Sequence, residues 1–152
     1  MIRQLLETQL TPKRLVLTVQ SEVARRICAE PGDLSLLAIS VQVYGKPSIA
    51  TQIPAGAFYP PPKVDSAVVR VDLYPQPLID PQLIKTFFTL AKAGFSQKRK
   101  TLRNALSGGM RWAPEQTNSI LATAGIDPQR RAETLSLEEW AVLAEQTRLL
   151  AP

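Results

Sequence analysis

Apolar positions along the chain fall first into short β-like runs and then into helical stripes. Ile2, Leu5 and Leu6 recur at the spacing of one helix face with no capping residue before them, so Ile2 to Glu7 predicts the middle or end of a helix and a chain that starts mid-structure. Arg14 to Val19 is an almost uninterrupted apolar run, the pattern of a strand buried on both faces within a largely parallel sheet. Glu22 to Ala29 predicts a helix stopped by Pro31-Gly32, and Leu34 to Tyr44 a second, with Leu37, Val41 and Tyr44 on one side. Lys46 to Ile53 predicts a strand, Pro54 to Lys63 a proline-broken loop, and Ser66 to Tyr74 a long strand able to pair back on the first as a hairpin.

Pro75 and Pro77 close that half, and everything after Asp80 reads as helix. Asp80-Pro81 supplies a cap and a proline at the first helical position, ahead of the stripe Ile84, Phe87, Phe88, Ala91 and Phe95. Ser96 can cap a second helix, Gln97 to Leu106, ending at Ser107-Gly108-Gly109. A third runs from Pro114 to Ala124, and Asp127-Pro128 starts a short turn. Ser136-Leu137-Glu138-Glu139 is a capping box opening a last helix whose Trp140, Leu143, Ala144 and Leu150 face inward. The expected architecture is α+β: residues 1–74 form one part, and residues 75–152 a small all-helical domain.

Composition narrows the chemistry. The absence of histidine removes the commonest metal ligand and the usual general base, so no metal site is expected. The single cysteine, Cys28, allows no internal disulfide and sits in a helical pattern as a packing residue. No apolar run is long enough to span a bilayer and the N-terminus is charged early, which predicts a cytoplasmic protein with no membrane partner. The net charge of +5 is unevenly spread: Pro81 to Pro114 holds no acid but carries Lys85, Lys92, Lys98, Arg99, Lys100, Arg103 and Arg111. Such a local field suits an anionic partner such as nucleic acid, although a basic run also serves as a solvated helix face.

Two segments concentrate the candidate chemistry. In Phe58-Tyr59-Pro60-Pro61-Pro62-Lys63-Val64-Asp65-Ser66, three prolines stiffen the chain beside an aromatic that could stack on a base. Taken alone, the string also fits a proline-rich protein ligand or a stiff connector. In Lys98-Arg99-Lys100-Thr101-Leu102-Arg103-Asn104, read as helix, Arg99 and Arg103 lie one turn apart with Lys100 beside them, an arrangement for following a phosphate backbone.

Phe-x-Pro-x-Pro-Lys-Val-x-Ser between two strands is similar to a signature of rRNA adenine dimethyltransferases, and its wording here resembles the KsgA type. Three further stretches agree with it: Gln20 to Ile27, Gly94 to Leu106, and Gly125-Ile126-Asp127-Pro128 with Arg131 to Ser136. The resemblance implies that residues 1–74 are the C-terminal remnant of a class I (Rossmann-like) methyltransferase sheet with a final antiparallel hairpin. Residues 75–152 would then be a helical rRNA-binding domain acting on the small ribosomal subunit. It also implies that Phe58 walls the flipped target adenine, while Tyr59 packs elsewhere and Lys63 either neutralises a phosphate or caps the loop. Lys98, Arg99, Lys100, Arg103 and Asn104 would hold rRNA.

The family's cofactor is S-adenosylmethionine, yet the glycine-rich turn and the Asn-Leu-Pro-Tyr-type motif that such enzymes use are not in this sequence. No cofactor is therefore expected to bind this chain, and alone it is expected to be inactive. Leu34-Ser35-Leu36 also stands where the family has Tyr-Gly-Arg. Two other readings remain: a non-catalytic RNA-binding or ribosome-assembly module, and an Erm-like enzyme of large-subunit rRNA, which fits Phe95 to Asn104 less well. Finally, a strand at 14–19 without its preceding neighbours predicts self-association through a bare edge.

Overall fold

The computed structural model describes residues 12–150, excluding the Leu150 side chain. The helix expected at Ile2 to Glu7 and the inward packing expected of Leu150 lie outside the described residues. The described residues divide into two compact units, the first holding 12–30 and 37–78, the second 31–36 and 79–150.

The first unit is a three-stranded sheet of order β1 (Arg14–Gln20), β3 (Ser66–Leu73), β2 (Gly45–Ile53), with helices α1 (Ser21–Ile27) and α2 (Leu36–Gln42). The hairpin of β2 and β3 forms as its pattern predicts. A β-bulge between Ile49 and Thr51 interrupts its register. β1 differs from expectation. Instead of lying among parallel neighbours it runs antiparallel to β3, from Arg14 opposite Asp72 to Gln20 opposite Ser66. Its burial alternates as well, with Leu15, Leu17 and Val19 half-buried and Val16 60% exposed, because within the described chain only one sheet face is covered.

On that covered face Ala67, Val69 and Val71 pack with Ala24, Ile27 and Val41, and Leu15, Val19, Val23, Cys28, Leu37 and Leu73 close around them. Burial pushes the Cys28 thiol above its ordinary pKa, which keeps it neutral and fits the packing role. On the open face Asp72 accepts hydrogen bonds from Arg70 (2.8 Å) and Arg14 (2.6 Å), and these hold its carboxyl below its ordinary pKa.

The second unit comprises α3 (Ile84–Phe95), α4 (Leu102–Met110), α5 (Pro114–Thr123) and α6 (Leu137–Leu150). The apolar stripe of α3 is the expected one: Phe87, Phe88 and Ala91 are buried, and the Phe95 ring stacks on Trp140 of α6 at 5.8 Å between centroids. Gly94 makes that approach possible, since a Cβ there would stand 2.6 Å from Trp140 Cη2.

Gly108 and Gly109 do not end α4, contrary to the sequence reading; the helix runs through both to Met110 and closes on Arg111 in the left-handed region (φ 58°). The reason is packing against α3. A Cβ on Gly109 would lie 2.5 Å from Ala93 Cβ and 2.8 Å from Ala93 Cα, so only glycine permits this crossing.

The capping box forms reciprocally: Glu139 N–H donates to Ser136 Oγ (3.2 Å) and Ser136 N–H to Glu139 Oε2 (2.8 Å). The Glu139 carboxylate also receives Arg130 Nη1 and Nη2, and Arg130 Nη2 donates to Thr134 O (2.6 Å), so one pair ties the turn after Asp127 to the start of α6. The Arg130 hydrogen bond is the main cause that holds Glu139 below its ordinary pKa.

Replacing Gly109 with Ala should force α3 and α4 apart and cost about 1 to 3 kcal/mol, the range for overpacking; an unshifted denaturant midpoint would contradict the crossing. The Arg130–Glu139 pair gives a second test. Because the folded pKa of Glu139 is depressed, its contribution is complete above the unfolded value, about 4.3, and disappears as pH falls through the lower folded value. Glu139→Gln should therefore lower the melting temperature at pH 7 and narrow its difference from wild type at pH 3. An equal difference at both pH values would exclude the ion pair as the cause.

Candidate nucleic-acid interface

The loop between β2 and β3 is tied at both ends. Asp65 Oδ1 accepts the Ala55 N–H at 2.9 Å, and its backbone carbonyl accepts the Ser21 N–H at 2.9 Å. A single 3₁₀ turn, Ala55–Ala57, follows Pro54, with Phe58 N–H donating to Ala55 O at 3.2 Å. Phe58 then takes an extended conformation (φ −111°, ψ 154°) and is half-buried, and the Tyr59–Pro60 peptide is cis. Lys63 is exposed on the same loop. Tyr59, expected to pack elsewhere, is instead fully exposed.

In the second unit the basic segment is not a helix. Gln97 to Lys100 form a turn closed by Lys100 N–H donating to Gln97 O (3.0 Å), and α4 begins only at Leu102. Thr101, rather than Ser96, is the N-cap, and its Oγ1 accepts the Asn104 N–H at 3.5 Å. The next acceptors come from far along the chain: Leu102 N–H donates to Arg130 O (2.6 Å) and Arg103 N–H to Pro128 O (3.3 Å). The helix start is thereby satisfied by carbonyls, which leaves the preceding side chains to meet solvent. The one-turn spacing of Arg99 and Arg103 on a shared helix face is corrected accordingly.

Lys98, Arg99 and Lys100 are all exposed and, with Gln97, line an open depression of about 470 Å³. Asn104 is exposed on the first turn of α4, whereas Arg103 is half-buried with its Nε enclosed and without a hydrogen-bond partner. The backbone contacts of Pro128 and Arg130 also bring exposed Arg131 beside this turn, a cation that charge counting in the 81–114 window overlooks. Its only legible signal was a second Asp-Pro turn, Asp127-Pro128, leading into paired arginines. Nearby acids are engaged within the unit: Glu139 with Arg130, Glu133 at 3.9 Å from Arg131, and Asp127 accepting the Gln129 N–H.

Among the described residues no cluster of histidine, cysteine and acids could hold a metal ion, and no helix is long and apolar enough to cross a membrane. The junction from β1 into α1, Gln20-Ser21, has no glycine. Gly45 is committed to packing, since a Cβ there would be 2.7 Å from Asp72 O. The β1–α1 junction is therefore not a glycine turn of the kind that cradles S-adenosylmethionine.

The geometry has counterparts in known proteins. A family model described as "Ribosomal RNA adenine dimethylase" matches residues 1–147. "Ribosomal RNA small subunit methyltransferase A" of Dehalococcoides mccartyi (strain CBDB1) is 49% identical over 142 residues, which cover 93% of this chain and 49% of the relative. The protein of the same name from Desulfitobacterium hafniense (strain DSM 10664 / DCB-2) is 47% identical over 133 residues, 86% of this chain and 48% of the relative. The chain thus spans about half the length of the curated relatives it matches.

Among solved structures, a dimethyladenosine transferase from Plasmodium falciparum superposes with a TM-score of 0.82 at 22% identity, covering 97% of this chain and 62% of that one. The 23S rRNA methyltransferase ErmE does so with a TM-score of 0.65 at 21% identity, over 95% and 58%. Those two likenesses establish the α+β fold as one shared with rRNA methyltransferases. The family match over nearly the whole length, joined to close relatives of one name, shows that this chain belongs to the ribosomal RNA adenine dimethylase family.

Proposed function

We propose that this chain supplies the target-base wall and the rRNA-gripping part of an S-adenosylmethionine-dependent enzyme that dimethylates adenine in small-subunit rRNA in the cytoplasm. The observation that carries the reading is the Phe58 loop, anchored by Asp65 to Ala55 and stiffened by three prolines. A ring held in that way loses little entropy when a flipped base stacks on it, and one stacked base contributes about 1 to 3 kcal/mol. Lys63 on the same loop neutralises a phosphate near the flipped base.

In this reading residues 1–74 are the end of the methyltransferase domain and residues 75–152 the RNA-binding domain. Lys98, Arg99, Lys100, Arg103 and Asn104, with Arg131 added, follow the rRNA backbone. Their charges lie on a turn and a helix start rather than along a helix face, which suits phosphate contacts and not the reading of base edges. S-adenosylmethionine would supply the methyl groups for the whole enzyme. The sequence holds no glycine-rich turn for the donor, so in this reading its site lies in the part of the relatives that this chain does not span, and this chain alone transfers no methyl group. β1, hydrogen-bonded on one side only among the described residues, offers its other edge to a second copy.

Binding of this chain to a small-subunit rRNA helix at two salt concentrations should weaken steeply with salt. Calorimetry with S-adenosylmethionine should show no heat of binding. Arg99→Ala should weaken RNA binding and lower the slope of log affinity against log salt by about 1. Salt-independent binding, or donor binding to this chain, would overturn the reading. For the sheet edge, light scattering at rising protein concentration should show self-association; a monomer at every concentration rules it out.

A further inference from the structure

The β2–β3 loop holds a second aromatic that the target-base wall leaves unused. Tyr59 has a relative exposure of 101%, and among the described residues it is the one aromatic in the set of exposed large apolar side chains. No other group of the loop shields it: Pro60, Pro61, Pro62, Lys63 and Val64 are all exposed as well. A ring left uncovered on a mobile surface loop would attract little notice. Here the backbone beneath it is fixed, by the Asp65 carboxylate on Ala55 N–H, by the Asp65 carbonyl on Ser21 N–H, and by three ring-locked φ angles.

Charge narrows what the ring can meet. The loop's acid, Asp65, is spent on Ala55, while the Lys63 ammonium stands free at the far end of the prolines, so the exposed strip is apolar with one cation. That combination suits a stacked base followed by its phosphate. Phe58 is half-buried whereas Tyr59 is fully exposed, so the two adjacent rings offer different surfaces and Tyr59 is left to meet a base other than the one Phe58 walls.

We propose that Tyr59 is a second stacking platform, which takes an unpaired nucleotide flanking the target adenine while Phe58 takes the adenine itself. This rests on the reading of Phe58 given above. The division of labour explains how the flipped strand is held on both sides of the target: one ring receives the extruded base, and the next residue stops its neighbour from restacking into the helix. Stacking needs the ring and not the hydroxyl, so Tyr59→Phe should behave as wild type and Tyr59→Ala should not.

The test uses this chain and a small-subunit rRNA hairpin carrying 2-aminopurine at unpaired positions next to the target adenine. Wild type and Tyr59→Phe should quench the fluorophore equally. Tyr59→Ala should lose the quenching and bind about tenfold more weakly, within the range for one stacked base, with an unchanged salt slope. Arg99→Ala, in contrast, should keep the quenching and lower the slope. If wild type binds and Tyr59→Ala matches it in affinity and quenching, the second platform is wrong while the Phe58 reading stands, and the proline-rich strip becomes a candidate protein-binding segment. If wild type does not bind the hairpin at all, both readings fail together.

Discussion

A helix begins with backbone N–H groups that have no partner inside the helix, and the second unit is organised around meeting that need at the start of α4. Thr101 accepts one N–H through its side chain, and the carbonyls of Arg130 and Pro128 accept two more from a segment nearly thirty residues later. For those carbonyls to be in place, the Asp127-Pro128 turn has to be held. Arg130 does so by reaching the carboxylate of Glu139, which closes the capping box of α6. One chain of acceptors therefore runs from the last helix back to the basic turn. Its consequence is electrostatic: the exposed cations Lys98, Arg99 and Lys100 precede the start of α4, while Glu139 is taken up by Arg130 and Glu133 lies beside Arg131.

In the first unit the corresponding constraint is the middle strand. β3 takes hydrogen bonds from β1 and β2 at once, so its inward residues Ala67, Val69 and Val71 become the floor on which α1 and α2 settle. The loop that leads into it inherits that order, because Asp65 sits immediately before the strand and fastens both Ala55 and Ser21. Two aromatics at 58 and 59 thus occupy fixed positions without packing into the core. A rigid ring at the surface is poor economy for folding and useful for stacking on a base.

Under the proposed function, the two units would bring different physics to one kind of ligand. Phosphate contacts from the basic turn would be long-range and screened by ions, and would carry little information about sequence. Stacking on the β2–β3 loop would be short-range and insensitive to salt, and would ask for a base that has left its helix.

Much of the architecture was legible from local pattern. The hairpin of β2 and β3, the apolar stripe of α3 and the Ser136–Glu139 capping box are encoded by neighbouring residues, because alternation, helical spacing and caps are local properties. The motif around Phe58 carried the family resemblance by its wording alone. Three features depended instead on residues distant in sequence. The direction of β1 was set by its hydrogen bonds to β3, whose residues lie some fifty positions later. The continuation of α4 through Gly108 and Gly109 was set by the approach of Ala93, which turned an apparent stop signal into a packing requirement. The turn at Lys98 to Lys100 was set by carbonyls at 128 and 130 that satisfy the helix only from Leu102 onward. What the sequence by itself determined were the elements that close their own hydrogen bonds or bury their own stripe; wherever an element's end or direction needed a distant partner, only the tertiary structure could decide it.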